Sequence, residues 1–144
     1  MSGESVVSAW LAAQFAGPPD NLVDGANCRT GPIRKASDNQ ALVGAVPSAC
    51  VFVMDTTGIN SEAWVDGGAR TGLDKPGVII WVRSAINDYD SGHALAVKIA
   101  AFVDKNPPPN YQECRLQGSN ALYLQQDSLG HHVWSINLIL LLQV

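Results

Sequence analysis

Apolar residues recur at intervals of three and four in two segments of the chain, which is the spacing of an amphipathic helix. The first segment is residues 4 to 15, and it stops at "AGPPD" because Gly and Pro interrupt helices. The second segment begins near Asp88 and Asp90, either of which can cap a helix, and it stops at "NPPPN". Its apolar stripe consists of Leu95, Ile99 and Phe102, with Ala94 and Val103 alongside.

Strands are predicted where apolar residues alternate or run together. Cys50 to Met54 forms one clear strand, and Val78 to Arg83 is apolar enough for a central position in a sheet. The C-terminal third predicts three strands, at Tyr111 to Gln117, Ala121 to Gln126 and His131 to Val144. The last strand turns apolar on both faces towards its end, where Ile139 and Leu141 lie opposite the main stripe. Such a strand is either central or buried at an interface.

Two stretches lack this regularity. Residues 17 to 48 predict turns and a short strand near Asn21 to Val23, and a stretch of this length is typical of a functional or partner-ordered loop. Residues 55 to 76 are rich in glycine and predict a hairpin-like arm with Trp64 and Val65 at its apolar centre.

One α+β domain over residues 1 to 144 is therefore expected. In it a small, mostly antiparallel sheet packs with two helices on one face, and the long Gly-rich arm extends from the sheet.

Composition and charge narrow the classes of function. Charged residues make up 15% of the chain, against a typical ~25%, which favours a surface that partners partly cover. The net charge is −4, and Arg34-Lys35 is the one cluster of cations, so binding to nucleic-acid phosphates is not expected. The N-terminus lacks a basic signal-peptide segment and "INLILLLQV" is too short to span a bilayer, so a soluble protein is expected.

Candidate chemistry is sparse. His131 and His132 are neighbours on a strand, so they point to opposite faces and cannot share a metal ion. Asp88 and Asp90 could serve as an acid–base pair, but capping a helix is the simpler role at that position. The sequence therefore predicts no catalytic residues, no metal and no cofactor.

The cysteines Cys28, Cys50 and Cys114 form no CxxC pair, which indicates buried, reduced thiols rather than disulfides or a zinc site. Trp64 lies in a glycine-rich stretch and is the tryptophan expected to make a contact, because tryptophan is enriched at contact hot spots.

Three stretches resemble the tail-completion proteins of long-tailed bacteriophages, also called tail terminators or minor capsid proteins: "VPSACVFVMDTTG", "KPGVIIWVRSAINDYDSGHALAVKI" and "LGHHVWSINLILLL". The shared features are a strand that ends in a Thr-Gly turn, a Val-Arg strand end followed by a tyrosine and a helix, and a last strand after a Gly turn. The resemblance runs from about residue 47 to the end, with the first helix in its expected place. The length of residues 17 to 48 departs from the pattern.

The resemblance implies a structural virion protein that forms a ring, expected to be a hexamer, at the head-proximal end of the tail tube. This ring would end tube growth and contact the tail-tube protein and a head-side connector or adaptor protein. Genomic DNA would pass through its lumen without specific binding, and assembly would take place in the host cytoplasm without a membrane. The residues expected at interfaces are Trp64, Val65, Arg70, Arg83, Arg34, Lys35, Ile139 and Leu141.

Other classes of function stay open on the sequence alone. The chain could be another neck or tail-tube subunit, which ring stoichiometry would distinguish. It could also be a small hydrolase or a binder of single-stranded nucleic acid, which an activity screen of cysteine variants and a binding assay at low salt would distinguish.

Overall fold

The structure is a computed structural model that describes residues 3–31, 49–66, 69–104 and 106–143. Within these ranges the chain forms two helices and five strands. In chain order they are α1 (Gly3–Gln14), β1 (Cys28–Thr30), β2 (Cys50–Asp66), β3 (Ala69–Ile86), α2 (Tyr89–Val103), β4 (Glu113–Gln126) and β5 (His131–Gln143).

The five strands form one sheet in the spatial order β1-β2-β3-β5-β4. β1 pairs with β2 in parallel, and the other three pairs are antiparallel. Two helices and a mostly antiparallel sheet confirm the predicted α+β class. The connection through α2 places β4 one position away from β3 in the sheet. β5, the last strand in the chain, lies between β3 and β4 and pairs with both.

Both helices pack on the same face of the sheet. The register aligns three buried residues of neighbouring strands in one row, Val53, Ile80 and Ile136. One continuous core joins this row to Leu11 of α1 and Ile99 of α2. Burying aliphatic side chains of this size contributes roughly 1.5–3 kcal/mol each, so this row and the helices fix the geometry of the sheet.

The short strand predicted near Asn21 to Val23 is wrong in position, because the structure has it at Cys28–Thr30. Asn21 adopts a positive φ of 50° and the side chain of Val23 is exposed. Cys28 is instead fully buried, and its thiol donates to the carbonyl oxygen of Ser8 in α1. A buried anchor and a parallel partner therefore place the strand seven residues later.

β2 and β3 are longer than the predicted strands. Their antiparallel pairing continues outward to Asp66 and Ala69, with register shifts near Ile59. β3 pairs with β5 only as far out as Leu73 and Gln143. Within the described strands, the four residue pairs beyond this point therefore connect β2 and β3 alone. We call residues 63–66 and 69–72 the ribbon tip. Four residues of extended strand are roughly 13 Å long.

The two strands predicted at Tyr111 to Gln117 and Ala121 to Gln126 form one strand, β4, so that prediction is wrong. Gly118 has a φ of 94°, and the register against β5 shifts between Gln117 and Leu122. A glycine in this conformation accommodates a bulge, after which the chain continues in the same direction rather than turning back.

Candidate interaction sites

Five of the predicted interface residues lie where side chains are not described. Arg34 and Lys35 are outside the described residues altogether. Trp64, Val65 and Arg70 are in the ribbon tip, where the backbone register pairs Trp64 with Thr71 and Val65 with Arg70. The structure thus brings these three residues to one end of the β2–β3 hairpin.

The two interface residues predicted on β5 lie on the sheet face away from the helices, because their neighbours Leu138 and Leu140 are in the core and side chains alternate along a strand. Ile139 is only 7% exposed, so it is already buried within the subunit. Leu141 is half-buried. Ile139 therefore offers little surface to a neighbouring protein, whereas Leu141 is partly accessible.

Arg83 lies on that same far face of the sheet. It pairs in register with Cys50 of β2 and Val133 of β5, and its guanidinium donates to the Cys50 thiol. At the start of α2, Asp90 is exposed and Asp88 is half-buried. Asp88 there is engaged as the helix cap, where its carboxylate accepts from the backbone N–H of Ser91 at 3.2 Å. The capping role predicted for this aspartate is confirmed.

All three cysteines are free and buried, which confirms the prediction of reduced, buried thiols. Burial raises the pKa of Cys28 and of Cys50 from 9.0 to about 11, although a hydrogen bond with Ser8 and the charge of Arg83, respectively, oppose the shift. Burial, with the charges of Asp104 and Glu113, raises the pKa of Cys114 to about 12. These thiols stay protonated at neutral pH, whereas a cysteine nucleophile needs a thiolate.

The adjacent histidines have separate partners. His131 is buried, and its Nδ1 lies 2.9 Å from the carbonyl oxygen of Ser84. His132 is half-buried, and its Nδ1 lies 2.9 Å from the hydroxyl of Tyr123. Across the described ranges, no three His, Cys, Asp or Glu residues are grouped to hold a metal ion.

One constellation that the sequence analysis missed lies where α2 begins. Five rings contact one another there, and we call them the aromatic cluster: Tyr89, His93, Tyr123, His132 and Trp134. Tyr89 is at its centre, with its ring centroid 5.3 Å from those of His93, His132 and Trp134 and 5.6 Å from that of Tyr123. The Tyr89 and His93 rings are stacked at an interplanar angle of 11°.

The aromatic cluster has a buried base and an open top. Trp134 is 1% exposed, whereas Tyr89 and Tyr123 are 40% and 41% exposed. The indole N–H of Trp134 has no hydrogen-bond partner, the one such buried side-chain atom in the described part of the chain. Buried polar groups are almost always paired, so this donor is an exception among the described side chains.

Several apolar side chains are exposed towards this end of the sheet, but not all on the face of the aromatic cluster: Leu122 pairs with Ser135, so it lies on the face away from the helices. Ile86, Leu122, Leu124 and Leu129 are all exposed. Together with Tyr89 and Tyr123 they make up six of the eight large apolar side chains that the described surface exposes. We call these six residues the apolar end. A concentration of this kind is typical of a protein–protein contact, whereas single exposed apolar residues are ordinary.

Sequence spacing reveals only part of this site. Tyr89 and His93 are four residues apart, so a helix from residue 89 places them on one face. Tyr123 joins Trp134 through the register of β4 with β5, and that register depends on the bulge after Gln117. The bulge cannot be located from alternation alone, so the cluster could not be predicted.

The sequence matches no family model, and no curated protein sequence matches it significantly. Among the described residues, no helix is both long enough and apolar enough to cross a membrane.

Proposed function

We propose that this chain is a structural subunit that assembles with copies of itself into a ring, and that this ring ends the tail tube of a long-tailed bacteriophage and joins it to the head-side connector. The observation that carries the proposal is the position of two incomplete surfaces at opposite ends of β3. The ribbon tip lies where β3 begins, and the apolar end lies where it finishes at Ile86.

The ribbon tip is the first of these surfaces. Within the described strands, its four residue pairs have no third strand beside them. A two-stranded hairpin is at best marginally stable in water, because it buries too little apolar surface to offset the entropy of ordering its backbone. A neighbouring molecule that covers the ribbon tip would supply the missing contacts.

Two different surfaces on one subunit favour a cyclic assembly. When one surface of a subunit binds a different surface of the next, the contacts generate a ring if the rotation closes and a filament if it does not. Arg70 and Ile86 are sixteen residues apart on β3, which is roughly 50 Å of extended strand. The two surfaces of one subunit are therefore too far apart to satisfy each other.

The tail-terminator part of the proposal draws on the resemblance. The stretches that carry it contribute the start of β2, the end of β3 with most of α2, and β5. These elements are neighbours in the fold, since β3 lies between β2 and β5 and α2 packs on the same sheet. The net charge of −4 also suits a lumen through which DNA passes without being held.

The test is imaging of the purified chain by negative-stain electron microscopy, with its mass determined by light scattering across a range of concentrations. We expect closed rings with a central hole and a mass that is a fixed multiple of 15.3 kDa. Rings added to tail tubes that lack a terminator should cap one end of each tube and stop its growth. A chain that remains a monomer at every concentration would contradict the proposal. Rings that form but do not bind tail tubes would contradict the proposed role at the end of the tail.

A further inference from the structure

β4 is the outermost strand on one side of the sheet, because among the described strands it pairs with β5 alone. Its second half, residues 121–126, is a surface that we call the open edge. We propose that the open edge pairs with the open edge of a second copy of this chain, in antiparallel orientation about a two-fold axis. This contact goes beyond the ring proposed above and does not depend on it.

The open edge presents backbone groups that β5 does not use. In an antiparallel pair, the N–H and C=O groups of an edge strand point alternately towards its partner and away from it. All five residues from Leu122 to Gln126 are exposed, which is expected of a strand that nothing covers. The protein segment that matches such a row of donors and acceptors is another extended strand, whose own groups repeat at the same spacing.

The open edge has little of the protection that keeps sheet edges apart. Edge strands usually are short or carry charged residues or proline. β4 has 14 residues, and from Leu116 to Gln126 it contains no charged residue and no proline. A register shift between Tyr123 and Gln125 is the only irregularity inside the open edge. Leu122 and Leu124 are 59% and 46% exposed, so a second strand would also cover apolar surface.

The absence of charge identifies the second strand as β4 of another copy. Near a two-fold axis, each residue lies opposite itself or a close neighbour, so a charged residue there would meet a like charge. The uncharged stretch from Leu116 to Gln126 removes that penalty. Pairing then brings the exposed leucines of the two copies together, and cross-strand apolar pairs stabilise a sheet.

The opposite side of the sheet is a poorer partner for the open edge. β1 has three residues, and the loop before it already bonds to Cys28: the N–H of Gly25 donates to the Cys28 carbonyl oxygen, and the N–H of Cys28 donates to that of Val23. β2 continues beyond β1 and contains the acids Asp55, Glu62 and Asp66. An uncharged strand offers these carboxylates no counter-charge, whereas it matches its own copy.

The two-fold contact changes the expected assembly in a measurable way. A head-to-tail contact closes a ring, whereas a two-fold contact joins two partners and then stops. Ile86, Tyr89 and Leu129 of the apolar end lie outside the open edge and stay available for a ring contact. A chain that makes both contacts forms two rings joined to each other, and a chain that makes the two-fold contact alone forms a dimer.

A matched pair of substitutions tests the contact. Leu122→Lys places like charges near the two-fold axis and should weaken pairing about tenfold or more. Leu129→Lys is the control, because Leu129 is also 59% exposed but lies in the turn after the open edge. Sedimentation equilibrium should show that Leu122→Lys halves the mass of the assembly, whereas Leu129→Lys leaves it unchanged. Circular dichroism shows whether each variant is folded.

A cysteine scan locates the axis without a charged variant. One cysteine at a time is introduced from Ala121→Cys to Gln126→Cys and oxidised, while the native thiols are buried. A residue lies close to its own counterpart only near the two-fold axis, so the yield of covalent dimer should peak at one position and fall on either side. Leu129→Cys should give a background yield.

The outcomes separate this inference from the proposed ring. Rings whose mass is the same for the unmodified chain and for Leu122→Lys, with no peak in the scan, would overturn the pairing and leave the ring in place. A dimer that Leu122→Lys converts to a monomer, without any ring, would support the pairing and contradict the ring. An unmodified chain that stays a monomer and gives no peak would contradict both.

Discussion

Gly92 of α2 lies so close to Trp134 of β5 that no side chain fits between them. A Cβ atom at this position would be 2.5 Å from Cζ3 of Trp134 and 2.6 Å from Cβ of Ser84. Glycine inside a helix usually costs about 1 kcal/mol relative to alanine. Here we expect the opposite sign, with Gly92→Ala lowering the free energy of unfolding by roughly 1–3 kcal/mol through overpacking. Urea unfolding of the variant measures it.

A second substitution identifies the cause of that loss. Trp134→Phe removes the six-membered ring edge that a new Cβ would meet, so Gly92→Ala should cost less in the Trp134→Phe background than in the unmodified chain. If the losses of free energy of unfolding from the two substitutions are simply additive, Trp134 is not the side chain that the new Cβ meets. A stabilised Gly92→Ala variant would show that the helix can move away from the sheet.

The main elements of the fold could be predicted because their patterns are local. The helix that begins near Asp88 needs only its own apolar period and its cap, and its position is confirmed. The position of β1 could not be predicted, because it depends on the burial of Cys28 beside Ser8, which is twenty residues away in sequence. The unbroken β4 likewise depends on Gly118 taking up a bulge rather than a turn.

The site was harder to predict than the fold for a related reason. The resemblance implies interfaces, and the residues expected at them are Trp64, Val65, Arg70, Arg83, Arg34, Lys35, Ile139 and Leu141. Burial of Ile139 and the contact of Arg83 with Cys50 arise from neighbouring strands. The aromatic cluster combines residues of α2, β4 and β5, so it becomes visible only when the sheet order places β5 between β3 and β4.

The cap of α2 gives a prediction of modest size. Asp88→Ala removes the carboxylate that accepts from the Ser91 N–H, and we expect the free energy of unfolding to fall by about 1 kcal/mol. Asp88→Asn is the control, because an amide oxygen still accepts this hydrogen bond. Its free energy of unfolding should fall by only a few tenths of the loss expected for Asp88→Ala. Equal losses in the two variants would mean that the charge, acting on the helix dipole, matters more than the hydrogen bond.

The buried thiols predict a loss of stability at alkaline pH. The pKa of each thiol is raised on folding, so above pH 9 the unfolded chain releases protons that the folded chain keeps. Ionisation then favours the unfolded state, and stability falls as pH rises from 9.0 towards about 11. Between the unfolded and the folded pKa, each thiol contributes a slope that approaches about −1.4 kcal/mol per pH unit.

Denaturant unfolding at a series of pH values measures this slope. A variant with Cys28→Ala, Cys50→Ala and Cys114→Ala should be less stable at neutral pH but should lose less on going to alkaline pH. Equal slopes for the variant and the unmodified chain would show that other groups, such as Tyr111, whose pKa burial also raises, dominate the dependence.

The ribbon tip gives the prediction that separates folding from assembly. Glu62 and Leu73 are paired in register, so the ten residues between them can be replaced by Asn-Gly, which forms a two-residue hairpin turn. β3 keeps its pairing with β5 from Leu73 onward, and the core residues are all outside the deletion. We therefore expect circular dichroism and the melting temperature to change little, whereas ring formation should be lost because the tip no longer reaches the next subunit. Replacing only Gly67-Gly68 with Asn-Gly keeps the ribbon at full length, and this control should still form rings. A shortened chain that assembles normally would show that the contacts lie elsewhere, and one that fails to fold would show that the ribbon tip belongs to the folding core.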